Sequence, residues 1–146
     1  VDMTRNGSLI KFLNENKYKG APLMEKLGGW LKKALPLRGQ KIVTYHRSWI
    51  YFTSVFGIET AAEIEPKPGI PPTPKHTLEV IETIKKENIK LIFSENFYDL
   101  KKVAFIAEKT GIKGVVVPVY VNGEAGADDY FKLVDTWINR MLEASK

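Results

Sequence analysis

The sequence predicts an α/β domain: a four-stranded parallel sheet of order 2-1-3-4 with helices on both faces, preceded by an amino-terminal helical segment. Three observations predict it. From residue 41 onward, short β-rich runs alternate with helical patterns across short connections, which implies right-handed crossovers and a parallel sheet. One run, Lys90–Ser94 (KLIFS), is apolar almost throughout, as suits a strand covered on both faces. The last segment repeats apolar residues at helical spacing through Tyr130, Leu133, Val134, Trp137, Ile138, Met141 and Leu142.

Each element has a local reason. In residues 1–39, Leu9, Ile10, Phe12 and Leu13 begin an apolar stripe, which Gly20 and Pro22 break. Leu23, Leu27, Trp30, Leu31 and Ala34 restart it as a second helix, weakened by Gly28 and Gly29 and ended by Pro36 and Gly39. The first strand spans Lys41–Tyr45, a helix runs from about Ser48 to Phe56 before Gly57, and a weaker strand covers Glu59–Ile64. The run Glu65-Pro66-Lys67-Pro68-Gly69-Ile70-Pro71-Pro72 is neither helix nor interior strand, because proline lacks a donor and fixes φ. Thr73 or Pro74 opens a helix with Val80, Ile81 and Ile84 inward. Asp99 caps another that Gly111 stops, Gly114–Val119 is the fourth strand, and Asp128 or Asp129 caps the final helix. Two segments result, a helical one over 1–39 and a (β/α)4 unit over 40–146.

Composition excludes several classes. With 146 residues, 44% of them hydrophobic and 11% aromatic, the chain forms about one folded domain. No run of about eighteen apolar residues is present to span a bilayer, and no signal-like apolar stretch opens the chain. With no cysteine there is neither a disulfide frame nor a thiolate site. The net charge of +5 is concentrated in residues 1–45, with nine basic and three acidic side chains; the remainder holds thirteen and fourteen. Lysines scattered among acids, with no aromatic RNA-binding motif, read as solvated helix faces, so no nucleic-acid partner is expected.

Ligands of open parallel sheets bind beyond the carboxyl ends of the strands, where the strand order reverses. In order 2-1-3-4 that point lies between the first and third strands, and the residues leaving them are His46 and Glu95. An imidazole beside a carboxylate can be half of a zinc or manganese site, an acid/base or nucleophile-activating pair, or a structural hydrogen bond. Other candidates are weaker. His76 follows the Pro-rich loop as a local cap or exposed side chain. Tyr45 should pack on the opposite face of its strand. Ser48 lacks a G-x-S-x-G elbow, and no phosphate-binding glycine motif occurs. Glu124, Asp128 and Asp129 read as capping and dipole-complementing acids.

Val43-Thr44-Tyr45-His46 with Trp49 and Tyr51-Phe52, then Gly57, then the Pro-rich run, resembles the carboxyl-terminal lobe of TroA-like metal-binding proteins of ABC importers. Lys90–Glu95 resembles that lobe's third strand and Asp129-Tyr130-Phe131 the start of its last helix, so the likeness covers roughly residues 30–146. The resemblance implies a receptor of two (β/α)4 lobes joined by a long helix, with the metal in the cleft. It maps a metal-ligating histidine onto His46 and a ligating carboxylate onto Glu95, with residues 1–39 as a remnant of the connecting helix. Zinc or manganese is then the transported ligand, held weakly by this piece. A membrane ABC permease and an absent amino-terminal lobe are partners, and the location is periplasmic or extracellular, as a membrane-anchored lipoprotein. A further aspartate that many members use after the fourth strand has no counterpart at Pro118, Val119 and Tyr120. The surface facing the absent lobe should be apolar, so the fragment is expected to form a homodimer. The alternatives are a small α/β enzyme using the His46–Glu95 pair and a metal-free interaction domain of the same fold.

Overall fold

The computed structural model describes residues 6–67 and 69–146, with side chains from residue 11 onward. Residues 1–5, the Leu9 and Ile10 side chains of the expected opening stripe, and Pro68 of the Pro-rich loop lie outside that description.

The opening segment is more broken than its apolar spacing implies. Helix α1 (Asn6–Glu15) leads into a small antiparallel hairpin, β1 (Lys17–Tyr18) and β2 (Ala21–Pro22). Its two turn residues, Lys19 and Gly20, both have positive φ, 49° and 83°, the geometry that matches the twist of a two-residue hairpin. The expected second helix from Leu23 to Ala34 is instead a 3-10 turn (Leu23–Lys26) followed by the short α2 (Gly29–Lys33). Gly28 in extended backbone and Gly29 at φ 51° separate the two, so the glycines break the helix rather than merely weaken it. A second 3-10 turn, Leu35–Leu37, follows, and Ala34 and Leu37 are nonetheless fully buried in the main core.

The sheet has the expected architecture. Strands β3 (Lys41–Thr44), β4 (Glu59–Glu63), β5 (Leu91–Glu95) and β6 (Lys113–Val117) are parallel and ordered β4-β3-β5-β6, the 2-1-3-4 arrangement. The last strand ends at Val117 rather than Val119, because Pro118 cannot extend the ladder. Helices α3 (Ile50–Phe56) and α6 (Tyr130–Ala144) cover one face, while α4 (Pro74–Lys86) and α5 (Leu100–Thr110) cover the other. Alternation sorts the strand residues: Ile42, Leu91, Phe93, Val115 and Val117 join the α3/α6 core, whereas Val43, Tyr45 and Ile92 join the α4/α5 core. Every residue of β5 is buried, as its apolar run implied.

The caps follow the sequence closely. Thr73 accepts the His76 amide with Pro74 in the first turn, Asp99 accepts that of Lys101, and Asp129, not Asp128, accepts that of Lys132. The expected helix from Ser48 begins instead with a 3-10 turn over Arg47–Trp49. Tyr130 departs from its expected inward place and is exposed at the first position of α6, against Trp30 and Phe131.

Gly57 ends α3 in the left-handed region at φ 72°, and a Cβ there would lie 2.9 Å from the Arg38 side chain. Gly57→Ala therefore combines backbone strain with a clash. A loss of about 1–2 kcal/mol is expected in urea unfolding, against about zero for substitution at an open, φ-negative position.

Candidate metal centre

Both sequence-selected residues lie at the carboxyl rim of the sheet. Thr44 pairs with Phe93 across β3 and β5, and the Tyr45 amide donates to the Phe93 carbonyl at 3.2 Å. Carried on by two residues, this register sets His46 level with Glu95 on neighbouring strands. Phe93 faces the α3/α6 side, so a two-residue step along β5 returns Glu95 to that side, whereas His46 lies just past the end of β3 with its ring near Tyr98.

Their surroundings differ. His46 is half-buried with extended backbone (φ −133°, ψ 173°), and it caps the 3-10 turn by accepting the Arg47 amide at Nδ1. Glu95 is 1% exposed, and neither carboxylate oxygen has a hydrogen-bond partner among the described residues. Such a group lacks both hydration and a donor, a costly arrangement unless a cation or proton completes it.

Tyr98 was not singled out in the sequence, yet it connects the pair. Its ring stacks on Tyr45 at 4.3 Å between centroids and lies 6.3 Å from the His46 ring. Burial pushes its phenol above the ordinary value, and the Glu95 charge adds to that rise. Phe97 and Tyr120 continue the aromatic row, at 4.5 Å from Tyr98 and 6.3 Å from Phe97 respectively. Three residues past a strand end is the only sequence signal Tyr98 offers, and that is too common a spacing to identify it.

The weaker candidates have structural partners. The His76 ring sits 2.8 Å from the Glu63 carbonyl and 3.5 Å from Glu79, tying α4 to β4. Glu124 pairs with Arg140, whose guanidinium holds the Glu124 carboxyl below its ordinary range. The same arginine donates to the Val116 carbonyl at 2.7 Å, closing part of the free edge of β6. Asp128 pairs with Lys132 and Asp129 caps α6. Among the described residues no group of three or more His, Cys, Asp or Glu side chains could hold a metal. The rim therefore offers two donors, one nitrogen and one carboxylate, a chemistry that suits zinc or manganese.

The family model described as "zinc-uptake complex component A periplasmic" matches residues 14–144. The chain belongs to this family. The zinc-uptake family match agrees with the resemblance carried by the Tyr45-His46 strand and the Pro-rich run. Solved structures extend it. The SBP FpvC from Pseudomonas aeruginosa, in complex with Mn2+, aligns at TM-score 0.60 and 26% identity over 77% of this chain and 46% of its own. The laminin-binding protein Lmb of Streptococcus agalactiae, described as bifunctional with adhesin and metal transporting activity, aligns at TM-score 0.58 and 25% identity over 80% and 44%. A ZnuA crystal structure shares the fold at TM-score 0.62 and 21% identity over 80% and 41%. The chain thus spans less than half the length of these proteins. No curated protein sequence matches it significantly. Family and fold are those of metal-binding solute-binding proteins, and no helix among the described residues is long and apolar enough to cross a membrane.

Proposed function

We propose that the chain is the carboxyl-terminal lobe of an extracytoplasmic receptor for zinc or manganese that delivers its ion to an ABC permease in the membrane. It is a binding module rather than an enzyme. His46, through a ring nitrogen, and Glu95, through its carboxylate, are its ligands. The segment before β3 is the connection from an amino-terminal lobe that supplies the remaining ligands, and a membrane anchor holds the receptor near its permease.

One observation carries this reading: the Glu95 carboxylate, buried and without a hydrogen-bond donor, on the strand beside His46. A divalent cation is the partner such a group lacks. A structural neighbour solved in complex with Mn2+ supports the cation class.

Thermal unfolding with added metal tests the reading. Anything that binds only the folded chain raises its melting temperature, by about 2.7 kcal/mol of added stability when the ligand stands at a hundred times its dissociation constant. Zinc or manganese is expected to produce a concentration-dependent rise, and His46→Ala is expected to remove it while leaving the circular dichroism spectrum unchanged. A rise that survives the substitution places the ion elsewhere.

A further inference from the structure

We propose that a lysine-lined hollow at the amino end of the sheet is an anion site that takes a phosphate group. It lies at the opposite end of the strands from His46 and Glu95, about 16 Å away for strands of this length, and is independent of the metal reading.

The hollow forms where three helices end and two strands begin. The last turns of α4, α5 and α6 contribute Lys85, Thr110 and Ala144, while Lys90 precedes β5 and Lys113 opens β6. Its volume is about 430 Å³, within the roughly 300–1,000 Å³ of small-molecule sites. Lys85, Lys90, Lys113 and Lys146 line it, and no described Asp or Glu does. Among the described residues none of the four is in an ion pair. Lys90 donates to the Asn88 side-chain carbonyl at 3.0 Å and Lys113 to the Glu143 backbone carbonyl at 3.4 Å, and both acceptors are neutral. Glu87, beside Asn88, is already held by Lys41 at 2.7 Å. Ile84 and Ile89, both buried, give the hollow an apolar wall, which focuses the field of the ammoniums into it.

Helix ends account for only part of this charge. The carbonyls at a helix carboxyl terminus carry about half a negative unit, so three such ends bring about −1.5. Against them stand the ammoniums of Lys85, Lys90 and Lys113, with Lys146 left out of the count. Roughly one and a half positive charges remain, which a phosphate group of about −1.5 to −2 at pH 7 neutralises. Composition hides this excess, because residues 46–146 hold thirteen basic and fourteen acidic side chains. The donor type sets the ligand class. A lysine ammonium is a compact charge with three donors, suited to the several oxygens of a phosphate. A planar carboxylate favours the guanidinium fork, and no described arginine lines the hollow.

Calorimetric titration of the 146-residue chain with pyrophosphate, at low salt and with chelator present, tests the proposal. One pyrophosphate per chain is expected. Lys90→Gln and Lys113→Gln, both at exposed positions, are each expected to weaken it about fivefold, the effect of one unit charge about 4 Å away in water. Lys75→Gln makes the same change of net charge at the far end of α4 and is expected to leave the affinity within about twofold. In nitrogen-15 spectra of the unsubstituted chain, the amides of Asn88, Thr110 and Gly111 are expected to shift and those of Tyr45 and Arg47 to stay. Phosphatidylglycerol vesicles, set against phosphatidylcholine ones, distinguish the source: binding that needs Lys90 and Lys113 without pyrophosphate binding assigns the phosphate to a lipid headgroup. Binding of neither probe overturns the site. So does an affinity unchanged by Lys90→Gln and Lys113→Gln, or one weakened equally by Lys75→Gln, since net charge alone then explains it. His46→Ala is expected to leave pyrophosphate binding unchanged, so this site and the metal reading stand or fall separately.

Discussion

Glu95→Gln is expected to raise the melting temperature of the metal-free chain and to abolish its rise with zinc or manganese. Both oxygens of Glu95 are buried and have no hydrogen-bond partner among the described residues. An unsatisfied buried polar group costs about 1–3 kcal/mol, and more when it carries charge. The amide keeps the volume and removes the charge but remains an unpartnered polar group, so the metal-free protein gains only the extra cost of burying charge, a rise of roughly a degree or more in a chain of this size. In the proposed site the same change removes the anionic ligand, so added metal is expected no longer to stabilise. Opposite signs with and without metal distinguish a ligand from a structural acid. A purely structural Glu95 loses stability on substitution in both conditions. Calorimetric scans of both chains, with chelator and with zinc, make the comparison.

The second large effect lies in the core. Phe93 is completely buried at the centre of β5, with its ring 4.5 Å from Trp49 and 5.9 Å from Phe52. Phe93→Ala opens a cavity between the sheet and the α3/α6 layer, where Ile42, Val117, Ile138 and Met141 already pack. The expected loss is about 3–5 kcal/mol, or a fall in melting temperature of roughly 10 °C or more. Phe93→Leu, which keeps most of the volume, is expected to lose less than half as much. Trp49 also packs on Phe93 and follows His46 by three residues, so the cavity loosens the turn that carries the imidazole. Metal affinity is expected to fall along with stability. Urea unfolding followed by Trp fluorescence, and zinc titration of the folded variant, read the two effects separately.

The sheet was legible because its signals are local and mutually consistent. The apolar runs at Lys41–Tyr45 and Lys90–Ser94, stop signals at Gly57 and Gly111, and caps at Thr73, Asp99 and Asp129 each have a one-step physical cause. Strand order followed from the crossover rule, and order alone selected His46 and Glu95. The first forty residues were read less well. The hairpin turns on Lys19-Gly20, where a lysine adopts positive φ, a conformation its residue type does not announce. The stripe Leu23–Ala34 has helical spacing, yet Gly28 and Gly29 divide it, and the apolar residues after them are buried from a 3-10 turn instead. Periodicity reports which residues seek the core, not whether one continuous helix carries them there.

What the sequence alone determined was the alternation of elements, their order in the sheet and the identity of the two residues leaving its central strands. These depend on neighbours a few positions apart. Only the tertiary structure decided that Glu95 is sealed without a donor, that Tyr98 stands beside both members of the pair, and that His46 holds the Arg47 amide. Burial and hydrogen-bond satisfaction depend on residues far apart in the chain, and those meet only once the layers have packed.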